Sequence, residues 1–347
     1  MLTPRAATIL NILVNEYIST ANPVASEDIA RLSPAKVSSA TVRNAMSQLT
    51  DEGYISRPHV SAGGIPSDRG YRHYVESMPQ VPDLPVMVQQ QIQQHFGQVE
   101  PDLAAWSQRC AHVLSRITSS MAIVTVPQSQ QPRLKHIELV YLEQFMALLI
   151  IVMEEARLAR RLFSLEEDTS QDQLSQTANK LNEYFSGLKS AEIERQRLDL
   201  TPLEQRVQRN TVAMLRESES FDKPEHYVDG LRWLLNQPEF AQGGLARELV
   251  EMLEEQVLLG SLLSELPETG EVVVYIGGEN REKPLQPFGV ILRQYGIPQH
   301  AVGTICVIGP TRMGYAEAIG GVTFLSSLMS RLVSELHGGV PSPYIAG

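Results

Sequence analysis

Three helix-start signals and a glycine-proline loop crowd into residues 1–75, and no other stretch restricts the fold as tightly. Thr3-Pro4 sets a capping hydroxyl before a proline, the arrangement that opens a helix. Leu10, Leu13, Val14, Tyr17 and Ile18 then recur at the three-and-four spacing of a buried helical face, and Asn22-Pro23 ends it. A short second helix is expected from Ser26, with Glu27 and Asp28 in its first turn and Ile29 and Leu32 turned inward. After a loop through Pro34, the pair Ser38-Ser39 caps a third helix that buries Val42, Met46 and Leu49 and stops before Gly53. Tyr54-Ile55 and the stretch 58–66, rich in glycine and proline, follow with hairpin-loop chemistry. Three short helices and a small hairpin are the plan of a winged helix-turn-helix.

In that plan the third helix enters the major groove and its N-terminal residues reach base edges. With Val42, Met46 and Leu49 inside, the other face carries Ser39, Ala40, Thr41, Arg43, Asn44, Ser47 and Gln48. The set suits base reading: arginine for guanine, asparagine or glutamine for adenine, and small apolar groups for the thymine methyl. Ser38 leaves free amides at a positive helix end, where a phosphate is favoured. The loop adds Arg57, His59, Ser61, Gly63, Gly64, Arg69 and Arg72 as candidate wing and backbone contacts. Tyr71 and Tyr74 are expected to be buried. Read without the hairpin, the same helix face is an ordinary solvated surface.

The charge balance decides little. The chain carries −11, yet residues 1–78 hold seven Lys/Arg and seven Asp/Glu, so the whole excess lies in the rest. A neutral head on an acidic body can bind DNA through one placed face while the body limits non-specific sticking. Other classes are easier to set aside. The longest apolar run, 145–153, is far short of the roughly 20 residues of a membrane span, and no export signal is legible. A cytoplasmic location and no membrane partner are therefore expected. Cys110 and Cys306 stand alone, the histidines show no ligand spacing, and no catalytic constellation appears. No enzyme activity, metal or cofactor is expected.

Beyond the head, 79–86 places prolines as a semi-rigid linker. Helical patterns cover about 87–96 and 102–119, and strand-like runs follow at 121–126, 136–142 and 145–153. A polar helical stretch occupies 168–225. Helical pattern returns at 231–235 and 245–263, strands at 272–276, 288–292 and 304–308, and a last helix at about 315–336. Strands on both sides of an all-helical stretch read as one α/β sensor-like domain interrupted by an insertion. IGGEN at 276–280 follows a strand but lacks a dinucleotide or P-loop spacing, so it reads as a tight turn. Arg157, Arg160 and Arg161 read as a solvated face or an insertion contact.

The head resembles that of the heat-inducible transcription repressor HrcA family, whose patterns PVxS, SSATxRN and PHxSAGRIPTxxGYR appear here as PVAS at 23–26, SSATVRN at 38–44 and PHVSAGGIPSDRGYR at 58–72. LLNQPEF at 234–240, IGGEN at 276–280 and GPTRMGY at 309–315 are similar to that family's C-terminal landmarks. The resemblance implies an α+β multidomain chain: a winged helix-turn-helix over 1–78, the linker 79–86, a GAF-like domain over 87–167 and 226–347, and a mainly helical dimerising insertion over 168–225. It also implies a homodimer that represses chaperone operons at an inverted-repeat, CIRCE-type duplex DNA operator, with activity supported by a GroEL-type chaperonin. The alternative within the binding class is a repressor governed by a small effector in the GAF-like domain. Departures from the pattern include Gly64 for the wing arginine, Ser67 for threonine, Glu27 for lysine and Gly314 for aspartate. Gly64 is read as the wing tip, and restoring a cation by Gly64→Arg is expected to strengthen DNA binding by about 1 kcal/mol; the alternative is a positive φ at Gly64, with which arginine would cost stability.

Overall fold

A computed structural model describes residues 2–34, 37–57, 59, 62–78, 83–97, 102–128, 132–154, 158–219, 225–240, 244, 251, 271–298 and 300–339. In the head, α1 (Pro4–Thr20) begins with Thr3 accepting from the Ala6 amide and ends at Ala21, whose φ of 55° turns the chain away. Ala6, Ile9, Leu10, Leu13 and Val14 form its buried stripe. Next comes α2 (Ser26–Leu32), which buries Ile29, whereas Leu32 is 46% exposed, against the expectation of an inward side chain. The third helix, α3 (Ser39–Asp51), is capped by the Ser38 hydroxyl on the Thr41 amide at 3.2 Å and buries Val42, Met46 and Leu49. Gly53, at φ +76°, lets the chain reverse so that Tyr54 N–H reaches Leu49 O at 2.9 Å.

The two short strands β1 (Ile55–Ser56) and β2 (Ile65–Pro66) pair antiparallel, Ile55 opposite Pro66. Then α4 (Asp68–Glu76) starts under a Ser67 cap and lies close against the end of α3: a Cβ on Gly70 would sit 2.2 Å from Tyr54 O. Tyr71 is buried as expected; Tyr74 is only half-buried and donates to Asn15 Oδ1 at 2.7 Å.

The body contains two separate sheets. After α5 (Val86–Gly97) and α6 (Leu103–Thr118), β3 (Met121–Thr125) enters a five-stranded antiparallel sheet. The chain then leaves that sheet. It forms β4 (Leu134–Glu143), β5 (Met146–Met153) and β6 (Leu158–Ser164), followed by α7 (Gln171–Phe185), α8 (Ser190–Arg195) and α9 (Pro202–Glu219). It re-enters as β7 (His226–Asp229), directly beside β3, with Ala122 opposite Asp229. Later come α10 (Leu231–Leu235), β8 (Val273–Ile276), β9 (Phe288–Ile297), β10 (Ala301–Pro310) and α11 (Tyr315–Leu336). The strand order is β7-β3-β10-β9-β8.

Both faces of this sheet are covered, which is why its strands read as continuous apolar runs. Ala122, Val124, Ile291, Ile305 and Val307 share a core with α6, α11 and the head, whereas Met121, Ile123, Val290, Leu292 and Cys306 meet Leu234, Phe240 and Leu285 on the opposite side. Cys110 and Cys306 are buried, and burial pushes both thiols up, so they serve as small apolar groups. No helix among the described residues is long and apolar enough to cross a membrane.

The insertion begins earlier than the sequence pattern implies. A boundary at 168 would leave β4 and β5 in the first sheet. They instead pair with β6 in a three-stranded sheet whose inner residues, among them Ile137, Leu139, Leu149 and Ile151, share a core with Leu174, Leu181, Phe185 and Leu215. One packed unit therefore runs from about Leu134 to Leu215. Alternation marks a strand with one covered face but carries no label for the sheet it joins. The predicted helix at 245–263 falls almost wholly outside the described residues.

Candidate nucleic-acid interface

The structure brings the candidate residues of α3 to one solvent face of the head and draws several of the loop cations away from it. Ser38, Ala40, Arg43, Asn44, Ser47 and Gln48 are exposed, and Ser39 and Thr41 are half-buried. The Ser38 hydroxyl also lies 2.9 Å from Thr41 Oγ1, Ser47 Oγ donates back to Arg43 O at 3.2 Å, and Gln48 Nε2 donates to Glu52 Oε1 at 2.8 Å. The Arg43 and Asn44 side chains make no hydrogen bond or ion pair with the described residues. They project from a helix whose other face is sealed against α1 and α2. Two long polar side chains held on a rigid helix, with donors and acceptors unspent, can read hydrogen-bonding groups on a partner.

Beside them, Arg43, Arg57, Glu27, Ala62 and Gly63 border a concavity of about 530 Å³ at the junction of α2, α3 and the loop. Arg57 is half-buried and its Nε is enclosed with no partner among the described residues. An enclosed guanidinium N–H without an acceptor is a costly state that an incoming oxygen would relieve. Glu27 is the carboxylate in this wall, at the position that departs from the family pattern, and its place beside the two arginines was not legible in the sequence. His59 is exposed, and Ser61 lies outside the described residues.

Four candidates need correcting. Gly63 is not a free loop glycine: a Cβ there would lie 2.5 Å from the Pro23 carbonyl carbon, so the backbone rests on the turn between α1 and α2. Gly64 is not a wing tip. It is buried, and its N–H and C=O pair with Val24 O and N at 2.9 and 3.0 Å. A Cβ would point at Leu13 Cδ1, Met46 Cε and Ile55 Cδ1, at 2.8, 3.0 and 3.2 Å. The expectation that Gly64→Arg strengthens binding is reversed accordingly. The added side chain starts inside the head's core, and the variant should lose about 1–3 kcal/mol of stability by overpacking, read from denaturant midpoints. An unchanged midpoint would show that the three neighbours yield at no cost.

The other two are arginines. Arg69 donates to Glu52 O at 2.7 Å, with its guanidinium 4.4 Å over the Tyr54 ring, so it caps the C-terminal end of α3. Arg72 is turned toward the body, where it pairs with Glu279 and donates to Val274 O at 2.6 Å. A cation near DNA in sequence can reach a carboxylate or carbonyl in its own fold first. Elsewhere in the body, polar side chains inside the five-stranded sheet unit bond to its backbone: Tyr295 OH donates to Thr125 O at 2.6 Å, and Thr304 N–H to Thr125 Oγ1 at 2.8 Å.

With this geometry in view, comparison with known proteins is informative. The family model described as HrcA protein C terminal domain matches residues 105–319. The heat-inducible transcription repressor HrcA of Dehalococcoides mccartyi (strain ATCC BAA-2266 / KCTC 15142 / 195) is 41% identical over 341 residues, covering 98% of this chain and 99% of that protein. The protein of the same name from Roseiflexus castenholzii (strain DSM 13941 / HLO8) is 35% identical over 345 residues, covering 97% and 96%. A crystal structure of a hypothetical protein at 2.2 Å resolution aligns with a TM-score of 0.58 at 22% identity, over 96% of this chain and 98% of that one, a likeness of fold alone.

Proposed function

Because the chain belongs to the heat-inducible transcription repressor HrcA family, and so is a regulator of transcription rather than an enzyme, we propose that its head acts as a winged helix-turn-helix on an inverted-repeat, CIRCE-type operator of heat-shock genes. The observation that carries this reading is the exposed face of α3, where Arg43 and Asn44 stand without partners beside the half-enclosed Arg57. In the major groove, Arg43 would take guanine and Asn44 or Gln48 adenine, with Ser39, Ala40, Thr41 and Ser47 against the neighbouring edges. Ser38, Arg57, His59 and Ser61 would meet the phosphate backbone.

An inverted repeat calls for a two-fold protein. The outer face of the β4–β6 sheet supports a homodimer: Val140, Leu148, Ile150 and Val152 are half-buried, and Leu158 and Leu162 are 62% and 65% exposed. The register sets Leu162 beside Leu148 and Leu158 beside Val152, an apolar row interrupted by Arg160, which lies beside Ile150. A row of this kind on a surface otherwise rich in charge fits a second copy of the same sheet. The five-stranded sheet with α6 and α11 is read as the GAF-like domain that carries head and insertion. Support by a GroEL-type chaperonin rests on the family resemblance alone. Equal operator-binding activity after refolding with and without chaperonin would remove it.

The direct test is selection from a random pool of duplex DNA. The sequences recovered should contain two oppositely oriented half-sites, and affinity should fall with salt by about 0.9 log unit per log unit for each phosphate neutralised. Recovery of single, unrepeated sites, or no enrichment, would sink the proposal.

A further inference from the structure

Three body segments far apart in sequence, 234–240, 276–280 and 309–315, converge on the last turn of α1 and on α4 of the head. Arg312 is held by Glu239 and by Gln237 Oε1 at 2.8 Å, and its Nη1 donates to Ile18 O at 3.2 Å. That carbonyl belongs to the last turn of α1, where a cation is favoured by the helix dipole. Asp68 opens α4 and accepts from the Gly278 amide at 2.8 Å. One turn later Arg72 forks onto Glu279, with Nε 2.9 Å from Oε1, and Glu279 is itself fixed by the Ile276 amide at 2.9 Å. Gly277, at φ +57°, is the point of closest approach: a Cβ there would lie 2.1 Å from Asp68 Oδ2. Between these pairs the rings of Tyr71 and Tyr315 meet with centroids 5.9 Å apart.

The contact is specific, with a buried tyrosine pair at its centre and an ion pair at its edge whose Arg72 and Glu279 side chains stay 28% and 35% exposed. Burial pushes both phenols up. Burial also works against charge on Glu279, yet the Arg72 guanidinium and the Ile276 amide hold its carboxyl below the ordinary range. Asp68, Tyr71 and Arg72 share one face of α4, so the whole face is committed to the body. Meanwhile Arg43, Asn44, Ser47 and Gln48 stay exposed. The contact does not cover the reading face, and it can act on DNA binding only through the angle at which the head is held.

We infer that the α4 contact with 276–280 and 309–315 is a dock that fixes the head's angle on the body and thereby selects the separation of half-sites a dimer accepts, an inference that rests on the winged-helix reading above. Arg72 and Glu279 are then positioning residues. With the dock intact, two heads present their α3 helices at one separation. With it broken, the second head binds at a lower effective concentration but over a wider range of separations.

The test uses the full chain and duplexes carrying two selected half-sites, their separation changed by one base pair at a time, together with a duplex holding one half-site. Wild type should favour one separation sharply. Arg72→Gln and the nearly isosteric Glu279→Gln should each flatten that preference by about tenfold or more, while single-half-site affinity stays the same. The exchanged pair Arg72→Glu with Glu279→Arg should regain part of it. Thermal melts identify any variant that fails to fold. If Arg72→Gln fails, the Glu279→Gln profile decides.

Two results overturn the dock: wild-type separation profiles in both single variants, or opposite effects, with Arg72→Gln weakening every duplex and Glu279→Gln strengthening them. The second pattern would return Arg72 to a phosphate contact. If wild type binds no duplex at all, the winged-helix reading itself has failed, a result distinct from either.

Discussion

The double variant Leu158→Arg, Leu162→Arg is expected to be a monomer in solution and to bind the two-half-site operator about 10²–10⁴-fold more weakly than wild type, the usual range for loss of bivalent attachment. Both leucines lie on β6 and point away from the core that β4–β6 share with α7 and α9. Within one protomer they therefore contribute little to stability, and the monomer should melt close to wild type. In a two-fold interface each arginine would be buried near its own copy, unpaired and facing like charge, a cost of several kcal/mol. Binding to a single half-site should be unaffected. Light scattering gives the mass and a titration gives the affinity. A dimer that persists with normal operator binding would put the interface on another surface. Excising 168–225 is a poor substitute for these point changes, because it would strip α7–α9 from the sheet and expose the inner core.

Arg43→Ala is expected to cost about 1–3 kcal/mol of operator affinity and to relax the preference at one base pair in each half-site. Asn44→Ala should do the same at a neighbouring position. The physical ground is that neither side chain has a partner to lose within the described fold, so truncation leaves stability unchanged and removes only what the side chain does to a ligand. Arg69→Ala is the contrasting control. It removes a hydrogen bond to Glu52 O and a stacked guanidinium, and should lower stability by about 1 kcal/mol with affinity altered only in step. Titration of each variant against the operator and its single-base variants separates the cases. A uniform loss on all sequences would reassign Arg43 to phosphate contact, and no loss at all would remove α3 from the interface.

Much of the head was legible in the sequence, because its signals are local. Thr3 and Ser38 cap the helices they precede, and Val42, Met46 and Leu49 recur at helical spacing and are buried. The strands read at 121–126 and 288–292 were legible for a related reason: a strand covered on both faces is mostly apolar along its length, and β9 runs on to Ile297 past Arg293 and Gln294, where that run breaks. The reading of α3 as the exposed, polar-faced helix followed from the same periodicity.

What failed depends on distance across the chain. Gly64 looked like a wing tip because glycine in a proline-rich loop is a turn signal, yet its backbone pairs with Val24 and its missing side chain leaves room for Leu13 and Met46. Arg69 and Arg72 looked like DNA contacts because they are basic and near the loop, yet Glu52 and Glu279 are within reach. The strands β4 and β5 carried a correct period and were given to the wrong sheet. Helix starts, strand periods and buried stripes are set within a few residues by backbone geometry and side-chain size, and the sequence alone determined them. Which sheet a strand joins, where a glycine's Cα faces and which carboxylate a long cation meets depend on residues up to 207 positions away. Only the tertiary structure decided these, because a flexible charged side chain settles on whichever partner the fold leaves nearest and least solvated.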